Sequence, residues 1–152
     1  MQPDREQPAV EVDEADLLHR ARDARRHAYV PYSGFHVGAA ILSASGEVYT
    51  GANVENASYP LTICAERNAI STMVGRGDRG PIRAVAVVGD GDDPCTPCGA
   101  CRQVMVEFGP GAVVLMSGDG GRPLRSTAAD LLPHFFGPMR LAQAGIDEMD
   151  EL

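Results

Sequence analysis

The chain reads as an α/β layered fold with a mixed sheet, and three observations carry that reading. Strand-like and helix-like segments alternate through its second half. Two of the strand-like segments, 82–88 (I-R-A-V-A-V-V) and 112–116, are near-continuous apolar runs, the pattern of strands covered on both faces. The 152 residues contain no internal repeat and no sign of a second domain, so one domain with a proper core is expected.

Taken in order, residues 1–12 are rich in Pro, Gln and acids and read as a disordered leader. From residue 13, Leu17, Leu18, Ala21, Ala24 and Ala28 recur at helical spacing, with acids in the first turn and Arg22, Arg25 and Arg26 late. That charge order suits the helix dipole, and a helix over 13–28 is predicted. Pro31-Tyr32-Ser33-Gly34 ends it. A hairpin follows, with strands over 37–42 and 48–53 and a turn at Ser43-Ala44-Ser45-Gly46. The next helix begins at Cys64, runs to about Val74 and is stopped by Gly75 and Gly77. After the first buried strand, a loop with Gly89, Gly91, Pro94 and Pro97 leads to a helix over 98–108. After the second, Ser126 or Thr127 caps a short helix through Leu132. The folded domain is expected over 13–138, with 139–152 an acidic, flexible tail.

A hydrophobic fraction of 44% and a charged fraction of 22% are those of an ordinary soluble globular chain. No apolar run approaches the roughly eighteen residues of a membrane span, so no membrane partner is expected. The acidic, polar start is unlike a secretory signal, which makes the cytoplasm the expected compartment. A net charge of −8 argues against a nucleic-acid partner, which calls for a basic surface. Much of that charge sits at the two ends, in Asp4, Glu6, Glu11, Asp13, Glu14 and Asp16 and in Asp147, Glu148, Asp150 and Glu151.

The chemistry is concentrated in Cys64-Ala65-Glu66-Arg67 and Pro97-Cys98-Gly99-Ala100-Cys101-Arg102-Gln103. Clustered cysteines in a chain of this length without a signal point to metal rather than to disulfides. Three thiolates can hold Zn²⁺ and leave the fourth tetrahedral position for water, the arrangement of a catalytic site. Cys98 and Cys101 are three apart, so one helical turn brings both sulfurs to the same face. Both segments fall where a loop enters a helix, whose positive N-terminus favours the thiolate. Glu66, two residues after the first thiol, is placed to move protons to and from the water.

Three thiolates on Zn²⁺ leave a net charge of −1, which quenches the acidity of the metal. Compensating positive charge is therefore required nearby, and Arg67 is the candidate. Cys95 complicates the count, because Cys95-Thr96-Pro97-Cys98 is a second C-x-x-C. A spare loop thiol is the preferred reading; a closed four-cysteine structural site is the alternative.

Longer stretches carry a resemblance. Pro31-Tyr32-Ser33-Gly34-Phe35-His36-Val37-Gly38-Ala39-Ala40, Gly51-Ala52-Asn53-Val54-Glu55-Asn56-Ala57-Ser58-Tyr59, the two cysteine segments and Leu131-Leu132-Pro133-His134-Phe135-Phe136-Gly137-Pro138 together resemble the small, homotetrameric, zinc-dependent cytidine deaminases of pyrimidine salvage. Three His/Cys ligands, a nearby Glu and a P-C-x-x-C are the general pattern of zinc deaminases. The resemblance covers about 29–138 and implies a three-layer α/β/α sandwich with about five strands in its mixed sheet. It implies one zinc per chain on Cys64, Cys98 and Cys101, which makes Cys95 the spare, with Glu66 as proton shuttle. It further implies that Asn53 and Glu55 bind the sugar hydroxyls, that Phe35 is an aromatic wall beside the base, and that the backbone at Ala65 meets the base edge. Phe136 would reach the pocket of a neighbouring subunit, and Tyr59 would stand at the subunit junction. One departure is Pro60, where the family commonly has Gly; a fixed φ and a missing N–H would alter the loop beside the pocket.

The implied reaction is hydrolytic deamination of cytidine and 2′-deoxycytidine. A deaminase of a cytosine-nucleoside antibiotic is the nearest alternative, and Asn53 and Glu55 favour the ordinary nucleoside. An editing deaminase is disfavoured by the acidic charge, and a non-catalytic zinc-stabilised binding protein by Glu66. His19, His27, His36 and His134 receive no role.

Overall fold

The structure, a computed structural model, describes residues 11–144. Of the segments read as leader and tail, 1–10 and 145–152 lie outside the described residues. The elements are α1 (Glu14–Arg25), β1 (Val37–Ser43), β2 (Val48–Ala52), a 3₁₀ turn (Tyr59–Leu61), α2 (Ala65–Gly75), β3 (Ile82–Gly89), α3 (Gly99–Phe108), β4 (Val113–Ser117), β5 (Leu124–Thr127), α4 (Ala128–Leu131) and α5 (Pro138–Gln143). The five strands form one sheet in the order β2-β1-β3-β4-β5. Only β3 and β4, the pair joined through α3, run parallel. The other neighbours are antiparallel, so the sheet is mixed as expected.

Strand periodicity divides the core in two. Ala39, Ile41, Val85, Val87, Val114 and Met116 pack with Ala69, Met73, Cys101 and Met105 of α2 and α3. Their alternates Ala40, Leu42, Ala84, Ala86, Val88 and Leu115 pack with Leu17 and Ala21 of α1. Helices on both faces make three layers, and the continuous apolar runs in β3 and β4 follow from being covered twice. Truncating a residue buried in the larger cluster, such as Ile41 or Met105, is expected to cost about 2–5 kcal/mol.

Two glycines set how closely the helices approach. A Cβ at Gly51 would lie 2.6 Å from the Ala69 nitrogen and 2.7 Å from the Ala65 carbonyl oxygen, so α2 rests directly on the backbone of β2. A Cβ at Gly38 would likewise collide with the Ala21 carbonyl and the Arg25 backbone of α1.

Helix starts follow the sequence closely. Asp13 caps α1 by accepting from the Asp16 N–H, and Thr127 caps α4 by accepting from the Asp130 N–H. Helix α1 ends at Arg25, three residues short of the predicted 28. Strand β5 and the 3₁₀ turn have no counterpart in the segment-by-segment reading, and α5 occupies the start of the stretch read as a tail. Pro60 lies in the first turn of the 3₁₀ segment, where an absent N–H costs nothing.

Asp78 ties the hairpin to the far end of α2. Its carboxylate accepts from Ser43 Oγ at 2.9 Å, Ser45 Oγ at 2.7 Å, Tyr49 Oη at 3.0 Å and the Gly80 N–H at 2.9 Å. Desolvation raises its pKa, but the hydrogen bonds from Ser45, Gly80, Ser43 and Tyr49 more than offset this and hold it at about 2. A pKa depressed below the unfolded value of about 3.9 adds stability above that pH and loses it as pH falls toward 2. Asp78→Ala is therefore expected to lower stability by about 1.5–3 kcal/mol at neutral pH. The difference from the parent should shrink below about pH 4, as measured by urea unfolding at several pH values. A penalty independent of pH would contradict this account.

Candidate functional site

The site is built from two helix N-termini on the same face of the sheet. Cys64 is the N-cap of α2 and Cys98 the N-cap of α3, each with extended backbone angles, and Cys101 sits in the first turn of α3. The Sγ atoms of Cys64, Cys98 and Cys101 all lie within 4.8 Å of one another, and Cys64 and Cys98 approach to 3.8 Å. A tetrahedral zinc with Zn–S bonds of about 2.3 Å needs sulfurs about 3.8 Å apart, so the trio fits that ion. Cys101 is buried, Cys64 half-buried and Cys98 exposed, which leaves the cluster open on the Cys98 side. Cys95 stands outside the trio, and burial pushes its thiol up to about 11.

Charge in the cluster is strongly redistributed. Hydrogen bonding from Cys101 holds the Cys64 thiol at about 5, with Arg67 and Cys98 adding to the effect, while Cys101 itself is pushed up by donating to Cys64. Of that pair, Cys64 is thus the one that carries the thiolate. Arg67 donates to Cys64 Sγ at 3.6 Å and to the Thr62 carbonyl at 3.4 Å. Its Nε is buried with no hydrogen-bond partner among the described residues. Glu66 is 4% exposed, and its pKa is raised chiefly by that burial. Ala65, between Cys64 and Glu66, is fully buried.

Phe35, Asn53 and Glu55 gather at the mouth of the hairpin. Asn53 Oδ1 accepts from the Val37 N–H and its Nδ2 donates to the Phe35 carbonyl, both at 2.9 Å. Glu55 Oε1 accepts from the Tyr32 and Ser33 N–H groups at 3.0 and 3.1 Å. The hydrogen bonds from Ser33 lower the pKa of Glu55 and keep it a carboxylate. Tyr32, Ser33, Glu55, Tyr59 and Thr62 line a cleft of about 320 Å³. Tyr59 stacks edge-to-face on Tyr32 with ring centroids 5.8 Å apart. Phe136 is exposed and does not line that cleft; its carbonyl accepts from Gln103 Nε2 at 2.7 Å.

Arg102 and Gln103, inside the cysteine motif, have structural tasks that the motif alone does not reveal. Arg102 Nε donates to the Pro97 carbonyl at 2.8 Å and its Nη1 to the Leu131 carbonyl at 2.9 Å. The loop before Cys98 is thereby tied to α4. Their position directly after Cys101 was the available signal.

The comparisons agree with this geometry. The family model for the cytidine and deoxycytidylate deaminase zinc-binding region matches residues 11–117. A cytidine deaminase from Sporosarcina psychrophila is 44% identical over 134 residues, covering 88% of this chain and 98% of its own length. One from Halalkalibacterium halodurans is 48% identical over 126 residues, covering 82% and 95%. The crystal structure of cytidine deaminase from Burkholderia pseudomallei superposes with a TM-score of 0.79 at 46% identity, over 82% of this chain and all of that one.

Arg67→Gln removes a hydrogen bond and a charge from Cys64. The pH midpoint for alkylation of that thiol in chelator-treated protein is expected to rise from about 5 toward the ordinary thiol range. An unmoved midpoint would show that Arg67 has no part in setting it.

Proposed function

The chain belongs to the cytidine and deoxycytidylate deaminase family, and from that premise we propose that it hydrolyses cytidine and 2′-deoxycytidine to the uracil nucleosides with release of ammonia. The observation that carries the reading is the set of three sulfurs within 4.8 Å of one another beside the buried Glu66. The names of the relatives support it over the antibiotic-nucleoside alternative.

Cys64, Cys98 and Cys101 would hold one zinc ion per chain. Bound there, zinc supplies a Lewis acid that makes water nucleophilic near neutral pH. Glu66 takes one proton from the attacking water to the ring nitrogen, as the water oxygen bonds to the ring carbon and the double bond between that carbon and the ring nitrogen opens. It then carries a second proton, from the hydroxyl now on that carbon, to the amino group; the exocyclic carbon–nitrogen bond breaks, the carbonyl forms and ammonia departs. A carboxyl raised by burial suits this role, because it must both accept and release a proton in each cycle. Arg67 offsets the negative charge of three thiolates. Asn53 and Glu55 meet the sugar hydroxyls, Phe35 walls one side of the base, and the Ala65 backbone meets the base edge.

The assembly proposed is a homotetramer. Tyr29, Tyr32, Tyr59, Leu61 and Phe136 are exposed large apolar residues, and apolar surface of that extent marks an interface. In this arrangement Phe136 completes the pocket of a neighbour and Tyr59 stands at the junction. The cytoplasm is the proposed compartment; among the described residues no helix is long and apolar enough to cross a membrane.

The function is tested by following the loss of cytidine absorbance across a panel of cytosine nucleosides, nucleotides and free cytosine. Cytidine and 2′-deoxycytidine should be the best substrates. Glu66→Gln should keep zinc and fold while losing at least about 10³-fold in kcat, since the amide cannot relay protons. More than a few per cent of parental turnover at full zinc occupancy would exclude Glu66 as the shuttle. Deleting the chain from Phe135 onward should abolish turnover and leave zinc bound. Light scattering should give four chains for the parent, and a fully active monomer would refute the assembly.

A further inference from the structure

The aromatic wall at Phe35 precedes β1, outside the sheet ladder, yet its surroundings leave it little freedom. The Phe35 N–H donates to Ser33 Oγ at 3.0 Å and its carbonyl accepts from Asn53. The next residue, His36, is gripped twice by one carboxylate oxygen. Asp90 Oδ2 accepts from the His36 backbone N–H at 2.8 Å and lies 2.7 Å from its Nδ1. In return the Asp90 N–H donates to the His36 carbonyl at 3.2 Å. A side-chain carboxylate thus extends the β1–β3 pairing by one rung, just past Val37 and Gly89, where the ladder ends.

Asp90 is itself braced. Arg25, largely buried on α1, donates to the Gly89 carbonyl at 2.7 Å and pairs with Asp119 at 2.7 Å and Asp90 at 3.4 Å. Asp119 holds the Gly91 N–H at 2.9 Å, so the backbone on both sides of Asp90 is pinned. At Gly89 the missing side chain matters as well. A Cβ there would lie 3.1 Å from Phe35 Cζ and 2.8 Å from Cys95 Sγ, so the ring tip and that thiol fill the space above this glycine.

We propose that Asp90 is a positioning residue for substrate binding: from the end of β3 it clamps His36 and thereby sets the Phe35 ring against Gly89 and Cys95 as the wall of the base pocket. The proposal rests on the reading of Phe35 as that wall. The partners of Asp90 are His36 and Arg25, not the sulfur cluster, so its effect on the pocket runs through His36 to Phe35. Loosening the clamp removes contact with the bound base equally before and during the reaction, which raises KM and spares kcat. The imidazole of His36 adds the second grip and explains why a histidine stands beside the wall residue.

The test compares Asp90→Ala, Asp90→Asn, Phe35→Leu and the double variant Asp90→Ala/Phe35→Leu, each loaded with zinc and assayed on cytidine. Asp90→Ala should raise KM about tenfold with kcat within about twofold of the parent, the scale of one lost pocket contact. Asp90→Asn, whose amide oxygen can still accept from the His36 N–H, should recover most of that loss. In the Phe35→Leu background, Asp90→Ala should raise KM no further. An equal rise in both backgrounds overturns the proposal and leaves the role of Phe35 standing. A Phe35→Leu protein with parental KM overturns that role and the proposal with it. If Asp90→Ala gives little folded protein, His36→Ala carries the same comparison, with a rise of about threefold because only one of two grips is lost. A lowered melting temperature with parental KM would make Asp90 purely structural and refute the assignment.

Discussion

The close approach of α2 to β2 at Gly51 is the constraint on which the site depends. With no Cβ between them, the backbone of Ala65 and Ala69 rests on the strand, and Asn68 Nδ2 seals the contact by donating to the Ala52 carbonyl at 2.8 Å. That contact sets the height of the α2 N-terminus, and with it Cys64, Ala65 and Glu66, relative to the strand end that carries Asn53. Helix α3 reaches the same point from the other side because it crosses between the parallel strands β3 and β4 on the same face. Two helix starts thus converge on the C-terminal side of β3, where an α/β sheet presents its loops. Any side chain at position 51 would lift α2 and carry Cys64 away from Cys98.

Convergence of this kind creates an electrostatic problem that the surrounding residues resolve. Three sulfurs and a carboxylate are crowded together, and Glu66 and Cys101 are buried. Two helix N-termini, whose partial positive charges face the cluster, supply part of the balance. Arg67 supplies the rest: its guanidinium bonds the Cys64 sulfur, and its charge also acts on the Glu66 carboxylate. A single nitrogen, Nη2, bonds both the Thr62 carbonyl and the Cys64 sulfur, which holds the charge against the cluster.

How much of this was legible in the sequence varies with the physics involved. The strands β1, β3 and β4 and the helices α1 to α4 follow from periodicity, caps and glycines, all of which are local signals. Strand β5 is only Leu124–Thr127, with exposed Leu124 and Arg125, so it carries no alternation to read; it exists because β4 offers it a partner. The sulfur trio was readable because metal chemistry restricts both residue type and spacing. Phe35, Asn53 and Glu55 were named only through resemblance, since nothing in their composition separates a pocket residue from a turn residue. The roles of Asp90 and Arg102 were hidden for a different reason. Each bonds to backbone atoms elsewhere in the chain, a donor N–H for Asp90 and acceptor carbonyls for Arg102, and a backbone partner leaves no mark in the sequence.

The loop beside the cleft is ordered before any substrate arrives. Asn53 and Glu55 are the residues proposed to meet the sugar, yet both already hold the loop in place. Asn53 uses its carbonyl oxygen for Val37 and one of its amide hydrogens for Phe35, leaving one hydrogen free. Glu55 uses Oε1 for two backbone N–H groups, and the Ser33 side chain adds a further hydrogen bond to the carboxylate; with about four lone-pair sites, a carboxylate can still accept from a hydroxyl. The remaining amide hydrogen of Asn53 and the carboxylate of Glu55 are a donor and an acceptor, the pair that a sugar hydroxyl, which both accepts and donates, calls for. Because the backbone bonds are already made, the two side chains surrender little rotamer freedom on binding, and the cost of ordering falls on folding instead. The same bonds fix Phe35 and Val37, so the sugar contacts and the wall of the base pocket are set by one small network rather than by separate devices.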